Sequence, residues 1–335
     1  MEDVIELEGF PPSIHRYPYH GRDDFLAIMD YERSLPYSNK HEIFLVTDIN
    51  KERFECDFRY ADETMFSRSW KEYLVHLNIL LMKMPSAPHE RAIQSLQRLI
   101  TIATLRQGLV YDIRSEGSKY QKLQSRVKQP DNQIYPARFQ SRGYPSIVFE
   151  VAKSETGRQL QRDTEKWLFE CQNEVLSVIT IYIGKRNRTM TLRRSTVENG
   201  SLAMKQEVDI TVEPGILRSQ GAPVISNAPF TIPFSHLLLR EPNFWTWPRE
   251  RDLQLTKADL TILAEDTWKL HLGSSSRKST LKQPSEAVPW LIANITTLLA
   301  ILGTLLLAPQ AKPFPWLVVL LAIQLAIFIT FLFKL

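Results

Sequence analysis

Cysteine is nearly absent: Cys56 and Cys171 are the only two in 335 residues. This excludes a disulfide-stapled secreted scaffold and suits a reducing compartment. The seven histidines, His15, His20, His41, His76, His89, His236 and His271, show no paired spacing for zinc. GxGxxG, GxxxxGK[ST] and GxSxG are missing, which removes dinucleotide, P-loop and serine-hydrolase chemistry in their usual forms. Excess charge is also scarce: 41 Lys and Arg against 37 Asp and Glu leave a formal net of +4. A field that weak does not by itself mark a nucleic-acid binder. The first residues, Met1-Glu2-Asp3-Val4, are acidic and lack an apolar core segment, so no cleavable signal peptide is expected. No internal repeat is visible.

What the chain has in abundance is apolar length near its C-terminal end. Residues 288–308 and 314–333 contain no charged side chain and are split by Pro309-Gln310-Ala311-Lys312-Pro313. At about 1.5 Å rise per residue, each run reaches roughly 30 Å as a helix, the thickness of a bilayer's hydrocarbon core. Helices apolar on every face are seldom needed in a soluble domain. The expectation is a transmembrane hairpin. Its orientation follows from Lys269, Arg277, Lys278 and Lys282 before the first run and Lys334 after the second, against Lys312 alone in the connector. Both termini are therefore expected on the cytosolic side. Asn294 and Gln324 could hydrogen-bond between spans. Asn187-Arg188-Thr189 and Asn199-Gly200-Ser201 match the glycosylation pattern and serve as topology probes.

Ahead of the hairpin, residues 1–40 read as an irregular arm with a short helix over 23–30. Residues 41–124 read as a mainly helical part, with a strand at 41–48 and amphipathic helices at 63–83 and 90–107, the latter stopped by Gly108. A short strand at 109–113 follows. The period then changes. Strands are expected at 131–135, 145–152, 175–183, 189–193, 203–211 and 230–239, and helices at 156–171 and 256–270. Thr256 and Asp259 form a capping pattern for the last helix. Residues 273–287 are a polar linker. A local basic stretch, Arg106 to Arg142 with Lys119, Lys122, Arg126 and Lys128 inside it, is either a solvated loop or a phosphate-tracking surface. The aromatic segment 242–248 suits packing under a sheet or an interfacial contact.

One constellation has the residue types for phosphodiester chemistry. Asp131 follows Pro130, and eighteen residues later Glu150 ends a β-branched and aromatic run, followed by Val151-Ala152-Lys153. Mg²⁺ needs hard oxygen ligands such as these, and a cation must offset charge on the phosphate. A Glu inside SIVFEVA is also costly to bury without a partner, so an ion pair with Lys153 or Lys166 is the structural alternative. Asp163 and Lys166 share a helical face, and Trp167 is expected in the core.

Gln129-Pro130-Asp131, Tyr144-Pro145-Ser146-Ile147-Val148-Phe149-Glu150-Val151 and Leu160-Gln161-Arg162-Asp163-Thr164-Glu165-Lys166-Trp167-Leu168 carry a resemblance. So do Thr231-Ile232-Pro233-Phe234 and Leu255-Thr256-Lys257-Ala258-Asp259-Leu260 downstream. Over residues of about 125–270 the chain resembles the PD-(D/E)XK nuclease superfamily, in particular its restriction endonuclease-like branch and related fungal proteins, within a nuclease-like core expected over 125–272. The resemblance implies an α/β (α+β) core: a restriction-endonuclease-like mixed sheet flanked by helices, here with two C-terminal transmembrane helices. It also implies Mg²⁺-dependent cleavage of DNA, with Asp131 and Glu150 as metal ligands. The lysine of the motif falls on Ala152, so Lys153 or Lys166 would have to supply the cation. Two functions follow. One is a membrane-anchored, catalytically silent module that binds a protein or nucleic-acid partner. The other is a Mg²⁺-dependent nuclease using Asp131 and Glu150 with a relocated lysine. The missing lysine and the membrane anchor favour the first.

Overall fold

The computed structural model describes residues 13–35, 43–60, 69–138, 142–153, 157–184, 187–212, 223–243 and 249–268, all within the unit spanning residues 1–272. The two apolar runs and the linker before them lie outside the described residues. Among the described residues, no helix is long and apolar enough to cross a membrane.

Strand β1 (Arg16–Pro18), helix α1 (Arg22–Ser34), strand β2 (Ile43–Thr47) and helix α2 (Lys51–Phe54) come first, α2 running into a π-helical turn at Glu55–Arg59. Strands β3 (Trp70–Leu74) and β4 (Ile79–Lys83) and helix α3 (Ala87–Gln107) follow. The short helix expected over 23–30 is present and longer, Arg22–Ser34, and the expectation of an irregular arm is corrected at the strand Arg16–Pro18. Of the helix expected over 63–83, residues 63–68 lie outside the described residues, and 70–83 form a hairpin instead. Its two strands are buried on both faces, and a run buried on both faces carries no alternation to separate it from a helix. The deciding residue is Asn78, held at φ 54° in the turn, a backbone conformation that Asn tolerates well. Helix α3 ends as expected: Gly108 adopts φ 77° and the Leu109 amide bonds back to the Thr104 carbonyl at 2.8 Å.

Strands β5 (Ile113–Ser115), β6 (Gln121–Lys122), β7 (Arg126–Lys128), β8 (Asn132–Pro136) and β9 (Ile147–Ala152) precede helix α4 (Gly157–Phe169). Then come β10 (Ser177–Ile183), β11 (Thr189–Glu198), β12 (Ser201–Thr211), β13 (Val224–Ser226) and β14 (Phe230–Ile232). Helix α5 (Phe234–Leu238), β15 (Leu253–Leu255) and helix α6 (Lys257–Trp268) complete the described elements. The expected strand over 230–239 therefore divides into β14 and α5, with Pro233 between them.

These elements make an α+β fold with two mixed sheets. One has the order β1-β2-β4-β3-β7-β6, the other β13-β12-β11-β10-β9-β8-β5; β14 and β15 form a ribbon. In the larger sheet, β5, β8 and β9 are an antiparallel meander, and β10 returns parallel to β9 after α4. Alternation along β9 sorts its side chains. Phe149 and Val151 join the largest apolar cluster with Leu96 and Leu99 of α3, whereas Val148 packs with Trp167 and Leu168 of α4. Glu150 shares the second face. The smaller sheet has its own cluster, built on Phe25, Phe44, Phe54, Trp70 and Tyr73.

Candidate functional site

Asp131 sits immediately before β8. Its amide bonds to the Phe149 carbonyl at 3.1 Å, and its carboxylate accepts from the Val151 amide at 2.6 Å. Lys83, at the end of β4, donates to Asp131 Oδ1 at 2.6 Å, and His89 Nε2 of α3 lies 3.4 Å from Oδ2. Burial alone would raise the pKa of Asp131. Lys83 and His89 outweigh it and hold the group well below the ordinary carboxylate range.

Glu150 is completely buried. The Trp167 indole donates to its Oε1 at 2.6 Å, so the tryptophan expected in the core also has a polar partner. Lys71 Nζ lies 3.4 Å from Oε2 and Lys128 Nζ 3.9 Å from Oε1. Burial pushes the pKa of Glu150 up despite those lysines, and the charges of Asp131 and Asp163 push the same way. The two predicted acids therefore feel one another. Asp163, expected on a helix face with Lys166, is buried and meets Lys71 at 3.2 Å and Lys128 at 3.1 Å. Burial opposes its charge, but Lys128 and Lys71 prevail and lower its pKa.

Glu72 completes the cluster. It pairs with Arg126, with Lys128 at 3.1 Å and with Lys166 at 3.5 Å. Its burial penalty is overcome chiefly by Lys128, and its pKa falls. The pKa of Lys128, fully buried, is raised: burial opposes its charge, but Asp163, Glu72 and Glu150 more than offset the penalty. The register of β3 against β4 slips between Trp70 and Glu72, a bulge at Lys71. Neighbouring strand residues normally face opposite ways, and a bulge re-aims one of them. This accounts for Lys71 and Glu72 both reaching the same network.

The cations at Glu150 are thus Lys71 and Lys128, contributed by the smaller sheet. Lys166 turns to Glu72, and Lys153 is buried just past the end of β9. Sequence reasoning missed Lys71, Lys83, Lys128, Glu72 and His89. For Lys71, Glu72, Lys83 and Lys128 the signal was charge set inside buried strands, WKEYL, ILLMK and RVK; His89, on α3, had none. Within the basic stretch, Arg126 and Lys128 are buried in this network, while Lys119 and Arg138 pair with Glu116 and Asp112.

As arranged, the donor set does not fit Mg²⁺, which demands near-octahedral oxygen ligands at about 2.0–2.1 Å and usually retains several waters. Asp131 already has partners on both oxygens. Glu150 Oε2 and Asp163 Oδ2 have no hydrogen bond, but the Lys71 ammonium stands against both, where a divalent cation would have to lie. Among the described residues, no group of three or more His, Cys, Asp and Glu side chains is placed to hold a metal ion.

No protein-family model matches the chain, and no curated protein does so either. Among solved structures, a candidate nuclease belonging to DUF820 from Anabaena variabilis is similar, at 12% identity and a TM-score of 0.35. The similarity covers 58% of this chain and 90% of that one.

Proposed function

We propose that this chain is a membrane-anchored, cytosol-facing module on a restriction-endonuclease-like fold, and that its acid cluster is a structural core with no catalytic role. On this reading its work is to bind a partner, a protein or a nucleic acid. The observation that carries the proposal is the Lys71 ammonium, lodged 3.4 Å from Glu150 and 3.2 Å from Asp163 at a site with no exposure for substrate or metal-bound water. Four neighbouring strands of the larger sheet, β5, β8, β9 and β10, with α3 and α4 beside them, support this reading of the fold. Membrane anchoring rests on the length and uncharged character of residues 288–308 and 314–333.

One observation favours the nuclease alternative: Lys71 stands beside Glu150 as a relocated motif lysine could. A single assay separates the two readings. Full-length protein is purified in detergent and incubated with plasmid DNA and Mg²⁺ or Mn²⁺, and Mg²⁺ binding is measured by calorimetry. The silent module gives neither metal binding nor cleavage above that of Glu150→Ala. Metal-dependent cleavage abolished by both Glu150→Ala and Lys71→Met would establish the nuclease. For topology, the protein should resist alkaline carbonate extraction. The exposed Asn187 and Asn199 should carry no glycan; modification at either would reverse the orientation.

A further inference from the structure

A second polar site lies away from the acid cluster, where β11 and β12 meet the segment following α4. A cavity of about 730 Å³ opens there, lined by Arg194, Thr196, Lys205 and His236 and walled by apolar side chains that include Phe169 and Val175. That volume falls within the roughly 300–1,000 Å³ usual for small-molecule sites. Two of its polar atoms are buried without a hydrogen-bond partner: Arg194 Nε and Thr196 Oγ1. Thr196 is only 6% exposed. Leaving such a group unmade costs about 1–3 kcal/mol, and here both belong to residues that line one cavity. The register of β11 against β12 slips between Arg194 and Ser195, leaving Lys205 of β12 as the extra residue, and a bulge of this kind re-aims side chains next to binding sites.

The electrostatics specify the sign of that ligand. Burial depresses the pKa of Arg194, and Asp252 is the acid whose charge counters it. Among the described residues, Arg194 makes no ion pair. Burial and the Arg194 charge lower the pKa of His236, with Asp252 again opposing; its Nδ1 lies 2.6 Å from Ser177 Oγ. Lys205 is held at the mouth by Glu198. The Arg194 guanidinium, the Thr196 hydroxyl and the His236 imidazole, with the Lys205 ammonium at the mouth, make a lining rich in donors, which suits an anion with several acceptor oxygens such as a phosphate.

We propose that this cavity binds a phosphomonoester attached to an apolar body, the phosphate on Arg194 and Thr196 and the body against Phe169 and Val175. A soluble phosphorylated metabolite and a lipid phosphate headgroup share that chemistry, and the test distinguishes them. Full-length protein in detergent is titrated calorimetrically with phenyl phosphate, inorganic phosphate and dihexanoyl phosphatidic acid. Phenyl phosphate should bind at least tenfold more tightly than inorganic phosphate. Arg194→Met and Thr196→Val should each weaken it at least tenfold while leaving the unliganded melting temperature unchanged or raised. If Arg194→Met does not fold, Thr196→Val carries the comparison. Binding of phosphatidic acid alone, with the same sensitivity to the variants, assigns the site to a lipid headgroup. The proposal is overturned if neither organic phosphate binds, or if binding survives both substitutions.

Discussion

Replacing Lys128 by Met tests the acid cluster most directly, because this single side chain faces three carboxylates. It is fully buried, 3.1 Å from Glu72 and Asp163 and 3.9 Å from Glu150, with the Trp167 ring 5.9 Å from its nitrogen. Methionine nearly preserves the volume, so the cost is electrostatic. Removing one partner from a buried ion pair typically destabilises by about 3–5 kcal/mol, since the abandoned charge stays buried. Lys71, Lys166 and Arg126 still face the same acids, which argues for the lower half of that range. A loss of about 3–4 kcal/mol is two to three powers of ten in the folding constant. It would consume a large part of a typical margin of about 5–15 kcal/mol. The measurement is urea unfolding of the full-length protein followed by tryptophan emission. Lys119→Met, at an exposed pair with Glu116, serves as control and should cost less than about 1 kcal/mol. Adding Asp163→Asn to Lys128→Met removes one of the abandoned charges and should restore part of the loss. A Lys128→Met protein within about 1 kcal/mol of the wild type, or a double variant whose cost is the plain sum of the two singles, would refute the reasoning.

Acid pH separates the two predicted ligands by sign. Asp131 is held well below its ordinary pKa, so its contribution is present above about pH 4 and lost as pH falls through the folded value; Asp131→Asn should flatten the acid limb of the stability curve. Glu150 is raised, so the folded state gains from its protonation at low pH and loses that gain as pH rises through the folded pKa; Glu150→Gln should remove this loss and cost less at pH 7 than Asp131→Asn. Ala152→Lys, which puts a lysine where the nuclease resemblance would place one, should destabilise by several kcal/mol without creating cleavage, because Ala152 is fully buried; Mg²⁺-dependent cutting by that variant would contradict the account. Thr256→Ala should cost about 1 kcal/mol of thermal or urea stability, since Thr256 Oγ1 and Asp259 cap α6 reciprocally.

Much of the larger sheet was legible because its signals are local. Gly108 stops α3, SIVFEVA makes a central strand, and the Thr256–Asp259 cap starts α6, each within a few residues of the element it controls. The hairpin of β3 and β4 was misread for the opposite reason. With both faces buried, Trp70, Tyr73, Leu77 and Leu80 fit a helical stripe as well as a pair of strands, and the turn depends on the backbone tolerance of Asn78. The site divides in the same way. Asp131 and Glu150 could be found from one another along the chain. Lys71 and Lys83 are 48 or more residues away from Asp131 and belong to another sheet. Nothing in their spacing links them to Glu150; only the presence of charge inside apolar runs does.

The absence of a lysine at 152 and the presence of Lys71 are two sides of one constraint. A glutamate in the middle of a strand buried on both faces needs a cation, and Ala152 offers none. The cation therefore arrives from the neighbouring sheet, carried inward by the bulge that aims Lys71 and Glu72 into one network. Glu72 in turn recruits Lys128, Arg126 and Lys166, so each charge that enters the interior brings a countercharge with it. An exposed catalytic lysine has to stay free to meet phosphate. One shared between Glu150 and Asp163 is held in place by both, and exchanging it for a metal would leave a buried ammonium without its two carboxylates. That exchange, more than the identity of the carboxylates, is the step that a cutting reaction at this site would have to overcome.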